Sequence, residues 1–212
     1  MKLISLSVLA TAALATGLLA AAPAQAAVVF NLTGDHCSGG CGTPPFGSVT
    51  LTQNGTTVDV DVDLFGTNAF VKTGAADFEA FKFNATGVVL GDITVNQNNP
   101  GETLAAQTGA FNGDGTGTFG FGIACTTCGN GSSDKFSTDI IFHVINATIA
   151  DLTAPNSSGN VFVADIIGST GNTGPVFATS GDDPTPAPEP TTFALLSSGL
   201  LGLGLLRRRN SA

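Results

Sequence analysis

The strongest constraint on the fold is a run of alternating apolar and polar residues on either side of Asn54-Gly55. Asn-Gly is a favoured two-residue turn between antiparallel strands. Folding the chain about this turn opposes Leu51 to Val58, Val49 to Val60, Thr50 to Asp59 and Ser48 to Asp61. The apolar side chains then share one face and the polar ones the other, as a half-buried antiparallel pair requires. The sequence therefore predicts a β-hairpin.

Further short segments bounded by Gly, Asn or Asp are strand candidates. They are residues 28–33, 78–84, 88–95, 116–123 and 161–167. Residues 136–152 suit a strand buried on both faces, but they also suit an amphipathic helix. The chain has 28 Gly, 15 Phe and no Tyr or Trp, which is typical of a β protein with many turns and a Phe-rich core. The predicted fold class is an all-β antiparallel β-sandwich over residues 27–168, with a partly open β-barrel as the alternative.

The N-terminal residues 1–26 follow the order of a secretory signal peptide. Lys2 supplies a positive charge, residues 3–22 are uncharged and apolar, and Ala24-Gln25-Ala26 is a small-residue cleavage site. A retained membrane anchor is the alternative. We therefore expect export across the inner membrane, with the mature chain beginning at Ala27.

The C-terminal residues 188–212 follow a predicted flexible Gly/Thr/Pro linker at 169–187. Pro188-Glu189-Pro190 ends a stiff, Pro-rich spacer, residues 191–206 form an apolar run, and Arg207-Arg208-Arg209 come next. A helix over the apolar run would be about 24 Å long, just short of a hydrocarbon core of roughly 30 Å. The arginines would hold this end in the cytoplasm. Physical chemistry alone thus predicts a transient or tilted transmembrane anchor.

These three parts, in this order, resemble the PEP-CTERM sorting signal of Gram-negative bacteria. In that family the tail is recognised by exosortase, a membrane-embedded cysteine transpeptidase, which cuts near the Pro-Glu-Pro. The resemblance implies exosortase as a partner at the inner membrane and transient insertion through residues 191–206. It also implies passage to the cell surface or to an extracellular exopolysaccharide matrix. A plain tail anchor is the alternative, and the resemblance does not indicate what the domain between the two ends does.

The charge of the chain between its two ends limits its partners. All 16 acidic residues lie within residues 27–190, where the only Lys or Arg side chains are Lys72, Lys82 and Lys135. Such a surface repels nucleic acid and anionic lipid, so we expect no nucleic-acid partner. Sugar-binding surfaces commonly use Tyr and Trp rings, and their absence disfavours a conventional carbohydrate-binding module.

The four cysteines form two close pairs, Cys37 with Cys41 and Cys125 with Cys128. In an exported protein disulfides are the leading interpretation. Three connectivities are possible, and we favour the two short loops because flanking glycines permit unusual backbone angles. The alternative is a Cys₄ zinc site, and a thioredoxin-like redox role is less favoured still.

The two histidines give no credible catalytic arrangement. His36 lies between Asp35 and Cys37 in a Gly-rich loop, and His143 lies in an apolar run, where a satisfied sheet residue is expected. We therefore predict no catalytic residues and no enzyme. A hydrolase would require the fold to bring His143 beside a nucleophile and a carboxylate.

Alternating aspartates are the weak candidates for a metal site. Asp59, Asp61 and Asp63 project from one face of the strand after the hairpin, and calcium could join them to Asp114 in a Gly-rich loop. A solvated face that discourages aggregation is the favoured interpretation, because neither segment is a complete calcium loop.

Together these features predict an exported structural protein of the cell surface or of the exopolysaccharide, biofilm-associated matrix. The alternative is a surface binding module that uses its acidic β face to bind calcium or matrix glycan. No cofactor is expected apart from possible calcium.

Overall fold

The computed structural model describes residues 27–73, 78–97 and 101–181, together with the backbone of 185–186. The strands are β1 (Ala27–Asn31), β2 (Gly34–Asp35), β3 (Gly47–Asn54), β4 (Thr57–Leu64), β5 (Ala69–Lys72), β6 (Glu79–Phe83), β7 (Ile93–Val95), β8 (Leu104–Asn112), β9 (Thr118–Cys125), β10 (Gly131–Phe136), β11 (Ile140–Ile145), β12 (Asn160–Ile167), β13 (Thr173–Thr179) and β14 (Thr185–Pro186). A 3₁₀ turn (Leu90–Asp92) and α1 (Ile149–Leu152) complete the elements. The predicted signal peptide and the sorting tail from residue 188 onward lie outside the described residues. Within the described part, no helix has the length and apolar character needed to cross a membrane.

The strands form two antiparallel sheets. Sheet A has the order β14-β1-β3-β4-β11-β7. In sheet B, β12 is central: β13 pairs along one of its edges, and β6 and β5 pair with it along the other. Beyond these, β9 and β8 continue from β6, β10 pairs with β5, and β2 pairs with β13. The predicted antiparallel β-sandwich is thus confirmed.

Phenylalanine fills the space between the two sheets. Phe142 of sheet A lies 5.2 Å from Phe83 and 6.1 Å from Phe81 of sheet B, measured between ring centroids. Phe30 of sheet A meets Phe162 of sheet B edge-on at 5.3 Å. Such ring pairs add about 0.5–1.5 kcal/mol beyond the area that they bury. The Phe-rich core expected from composition therefore holds the sheets together.

The predicted hairpin forms, but its register is shifted by two residues. Asn54 pairs with Thr57, so Leu51 lies opposite Val60 and Thr50 opposite Asp61. The turn is Gly55-Thr56, and Gly55 has a φ of 63°, which suits a type II′ turn with Gly at its first central position. Because a two-residue shift preserves the alternation, the apolar and polar faces remain as predicted.

Most other predicted strands are present with small changes at their ends. Residues 28–33, 78–84, 116–123 and 161–167 correspond to β1, β6, β9 and β12, whereas only the end of 88–95 is a strand, β7. The segment 136–152, for which both a strand and a helix were considered, contains the strand β11 followed by the short helix α1. Strands β2, β5, β8, β10 and β14, as well as β13, lie outside the segments predicted as strands.

The sandwich extends beyond the boundary predicted at residue 168. Part of the predicted linker forms β13, which pairs with β12 from Thr173 opposite Ile167 to Thr179 opposite Asn160. Val176 and Ala178 of β13 are fully buried. Gly, Thr and Asn surround this short apolar segment and made it resemble a loop, whereas the long edge of β12 stabilises it as a strand.

Candidate functional site: the acidic face

The polar residues of sheet A lie on the face that points away from sheet B. Strand β4 alternates three buried valines with Asp59, Asp61 and Asp63. On β3, Thr50 lies opposite Asp61 and Ser48 opposite Asp63. We call the surface formed by these residues the acidic face. It contains three of the four weak calcium candidates, Asp59, Asp61 and Asp63, and it is the face that the alternative function, a surface binding module, would use.

Asp139, immediately before β11, adds a carboxyl group to the acidic face. Burial, together with the charges of Asp61 and Asp63 and a hydrogen bond with Asp63, raises the pKa of Asp139 above 3.8. Burial and then the charge of Asp63 likewise raise the pKa of Asp61. Among the described residues, Asp61 Oδ1 is buried without a hydrogen-bond partner. These three carboxyl groups are therefore crowded and incompletely neutralised.

His143 occupies the other end of the acidic face. Its Nδ1 lies 2.6 Å from Asp59 Oδ1, and its Nε2 lies 3.1 Å from Asn96 Oδ1. Asp59 and His143 are register partners on β4 and β11, which explains the contact. Both ring nitrogens thus have partners, a carboxylate and a side-chain amide. This agrees with the prediction of a satisfied sheet residue.

The four calcium candidates do not form one cluster. Asp59 contacts His143, while Asp61 and Asp63 lie near Asp139. Asp114 belongs to the turn between β8 and β9 of sheet B. The carboxyl group that lies beside Asp61 and Asp63 is that of Asp139. The residue spacing of β4 could identify the strand aspartates, but no local pattern pointed to Asp139.

All four cysteines are disulfide-bonded, Cys37 to Cys41 and Cys125 to Cys128, as predicted. In the described residues, the one group of three possible metal ligands within 4.8 Å of one another is Asp35, Cys37 and Cys41. The two sulfur atoms of this group are joined to each other, and zinc binds thiolates. The zinc alternative is therefore wrong.

Asp35 has a structural role in the first disulfide loop. Its Oδ1 accepts a hydrogen bond from the Cys37 amide, and its Oδ2 accepts one from the Cys41 amide, each at 2.9 Å. His36 beside it is exposed, and no nucleophile–base pair arises from the Asp35-His36-Cys37 segment because the sulfur is in a disulfide.

One buried pair was absent from the sequence predictions. Lys82 of β6 and Asp165 of β12 are in contact although they are 83 positions apart in the chain. Lys82 stands between Phe81 and Phe83, so strand alternation indicates that it points away from the Phe core. The partner could not be identified before the pairing of β6 with β12 was known.

Comparison with known proteins identifies the tail. Residues 186–209 match the family model of the PEP-CTERM protein-sorting motif. The chain is therefore a PEP-CTERM domain-containing protein, an exported protein of the class that exosortase processes during membrane-associated sorting towards the Gram-negative cell surface. No curated protein and no solved structure gives a significant match.

Proposed function

We propose that the β-sandwich is a non-enzymatic structural component of the cell surface or of its exopolysaccharide, biofilm-associated matrix. The observation that carries this proposal is the sorting motif at residues 186–209. The two disulfides, which fasten loops of the sandwich, suit an oxidising exterior.

The surroundings of His143 support a role without catalysis. A hydrolytic centre needs a nucleophile within hydrogen-bond reach of its base. Here the two ring nitrogens of His143 are directed to Asp59 and Asn96, neither of which is a hydroxyl or thiol group. The arrangement is that of a polar cross-strand contact.

The proposal is tested by following the protein between membrane, surface and matrix. Pro188, Glu189 and Pro190 are replaced by alanine in the full chain, produced in a host that has exosortase. We expect the parent protein in the surface and exopolysaccharide fractions, and the variant in the inner membrane. Immunoblots of the separated fractions measure the distribution.

A matched control keeps the sorting tail and changes the acidic face, for example Asp139→Asn. This control should reach the same fractions as the parent. A parent protein that is released freely into the medium, with none held by the exopolysaccharide, would contradict the matrix role.

The second candidate is a calcium-dependent binding module, and the crowding of Asp61, Asp63 and Asp139 favours it. Burial, and then the neighbouring charges, raise the pKa values of Asp61 and Asp139, so the folded chain disfavours the ionised forms of these two groups beside Asp63. A divalent cation would stabilise the ionised carboxylates against both effects, and calcium takes carboxylate oxygens. These groups would have to move together, since they are not within 4.8 Å of one another as a set.

Thermal unfolding with and without calcium tests this second candidate. Binding raises the melting temperature, because a ligand that binds only the folded state stabilises it. The rise should occur in millimolar calcium and be lost in the double variant Asp61→Asn/Asp139→Asn. An unchanged melting temperature of the parent would sink the calcium candidate.

A further inference from the structure

Lys82 and Asp165, on neighbouring strands of sheet B, form an ion pair that is completely buried. Lys82 Nζ lies 2.6 Å from Asp165 Oδ2, and neither side chain has any exposed surface. The contact follows from the strand register. Lys82 is opposite Val163, and Asp165 stands two residues further along the same strand, so both side chains leave the same face of the sheet.

The environment of this pair is unfavourable for separated charges. Taking an ammonium and a carboxylate out of water carries a desolvation penalty for each ion, which their attraction offsets only in part. A neutral amide formed from the same two groups would carry no such penalty. Enclosure also holds the amine against the carboxyl group, so the two groups need not find each other by diffusion of the chain.

We propose that Lys82 and Asp165 condense into an amide that cross-links β6 to β12. One proton passes from the Lys82 ammonium to the Asp165 carboxylate, Nζ then attacks Cγ, and a C–N bond forms. The bond from Cγ to one carboxyl oxygen then breaks, and that oxygen leaves as water. The ammonium and the carboxylate together thus give one amide and one water, with no oxidation, no reduction and no further reactant.

Two contacts of Glu79 support this reaction. Its backbone oxygen accepts a hydrogen bond from Lys82 Nζ at 3.0 Å, which orients the amine. Its side chain lies over Gly122: a Cβ added to Gly122 would be 2.2 Å from Glu79 Cγ. Gly122 is the register partner of Lys82 on β9, so the Glu79 side chain is on the same face of the sheet as Lys82.

Glu79 also connects the buried ion pair with the protein surface. It is only 4% exposed, yet it lines an open pocket of about 420 Å³ together with Lys72, Phe78 and Gln107. We assign to the Glu79 carboxyl group the transfer of protons from the amine to the departing oxygen.

The amide would join β6 and β12, two neighbouring strands of sheet B, by a covalent bond. The link would join positions 83 residues apart, a longer loop than either disulfide closes. Cross-links over longer loops restrict the unfolded chain more strongly. Reducing agents would not break this link, since it contains no sulfur.

The test is peptide mass spectrometry on the full chain, recovered folded from its host and then reduced and digested with trypsin. Acylated Lys82 resists trypsin, so peptide 73–82 should be missing. In its place we expect a branched peptide in which 73–135 is joined to the peptide that begins at Phe136. Its mass should be one water less than that of its two parts, and fragmentation should locate the join at Lys82 and Asp165.

Four variants test whether the branched peptide depends on Lys82, Asp165 and Glu79. Lys82→Arg keeps the positive charge but has no acylable amine, and Lys82→Met/Asp165→Leu replaces the pair by apolar side chains in case a single change prevents folding. Both should lack the branch. Asp165→Asn should form the same link with loss of ammonia in place of water, while Glu79→Gln should form it at least tenfold more slowly.

The proposal would be overturned if the parent protein, shown to be folded by circular dichroism, yielded all of its peptide 73–82 in unmodified form. A branch that persists in Lys82→Met/Asp165→Leu would also overturn it, since other residues would then be joined. Formation of the link at the parent rate in Glu79→Gln would exclude the proton-transfer role of Glu79.

Discussion

Crowded carboxyl groups on the acidic face make the stability of the folded protein depend on pH. Asp61 and Asp139 have pKa values above 3.8, so the folded chain binds their protons more tightly than the unfolded chain does. Stability from these two groups is therefore present at acidic pH. It is lost as the pH rises through their raised pKa values.

The substitution Asp139→Asn should stabilise the protein at pH 7 by about 0.5 kcal/mol, because it removes a partly buried charge that also faces the like charges of Asp61 and Asp63. The gain should shrink as the pH approaches 3.8, because the parent carboxyl group then becomes neutral itself. Urea unfolding at several pH values measures the free energy of unfolding.

Asp59→Asn is the matched control for this prediction. It removes the same charge from the same face, but it weakens the contact with His143. We expect no gain in stability at pH 7. Equal gains for the two variants would show that net charge matters and that the crowding of Asp139 does not.

At the scale of elements, β13 closes one side of sheet B. It covers the edge of β12 along its length and buries Val176 and Ala178. A chain that stops after residue 168 would lose this strand and expose the central strand of the sheet. The domain therefore needs residues beyond the boundary that composition indicated.

Truncation tests that boundary. A chain ending after residue 186 should unfold cooperatively, whereas a chain ending after residue 168 should lose cooperative unfolding or melt at a much lower temperature. Circular dichroism during heating measures both. Equal melting temperatures would contradict a structural role for β13.

The sequence allowed prediction of those elements whose signals are local. Alternation around Gly55 identified the hairpin and its buried face, and short cysteine spacing identified both disulfides. The hairpin register was wrong by two residues, because alternation is unchanged by such a shift. Strand β13 was missed because pairing with β12 stabilises it, and this contact is not encoded in its own composition.

The candidate sites show the same division between local and distant signals. Asp61 and Asp63 could be placed on one face from their spacing along β4. Asp139 and the pair of Lys82 with Asp165 depend on which strands become neighbours. Those contacts join residues far apart in the chain, so a pattern within one segment does not contain them.

At the scale of the whole molecule, the sorting motif begins where the sandwich ends. The matched motif starts at residue 186, which is the last residue of β14. That short strand pairs with β1, with Val29 opposite Thr185 and Val28 opposite Pro186. The described chain therefore reaches the start of the motif beside β1, the strand with which the domain begins.

The most direct test of the central claim, that the chain is exported and then sorted through its tail, is the intact mass of the recovered protein. The full chain is produced in an exosortase-bearing host and in the same host lacking exosortase. We expect the first to yield a protein that begins at Ala27 and ends near Pro190, apart from any group attached at the new end. The second should yield one that retains Arg207, Arg208 and Arg209. Retention of these arginines in both hosts would contradict sorting by exosortase.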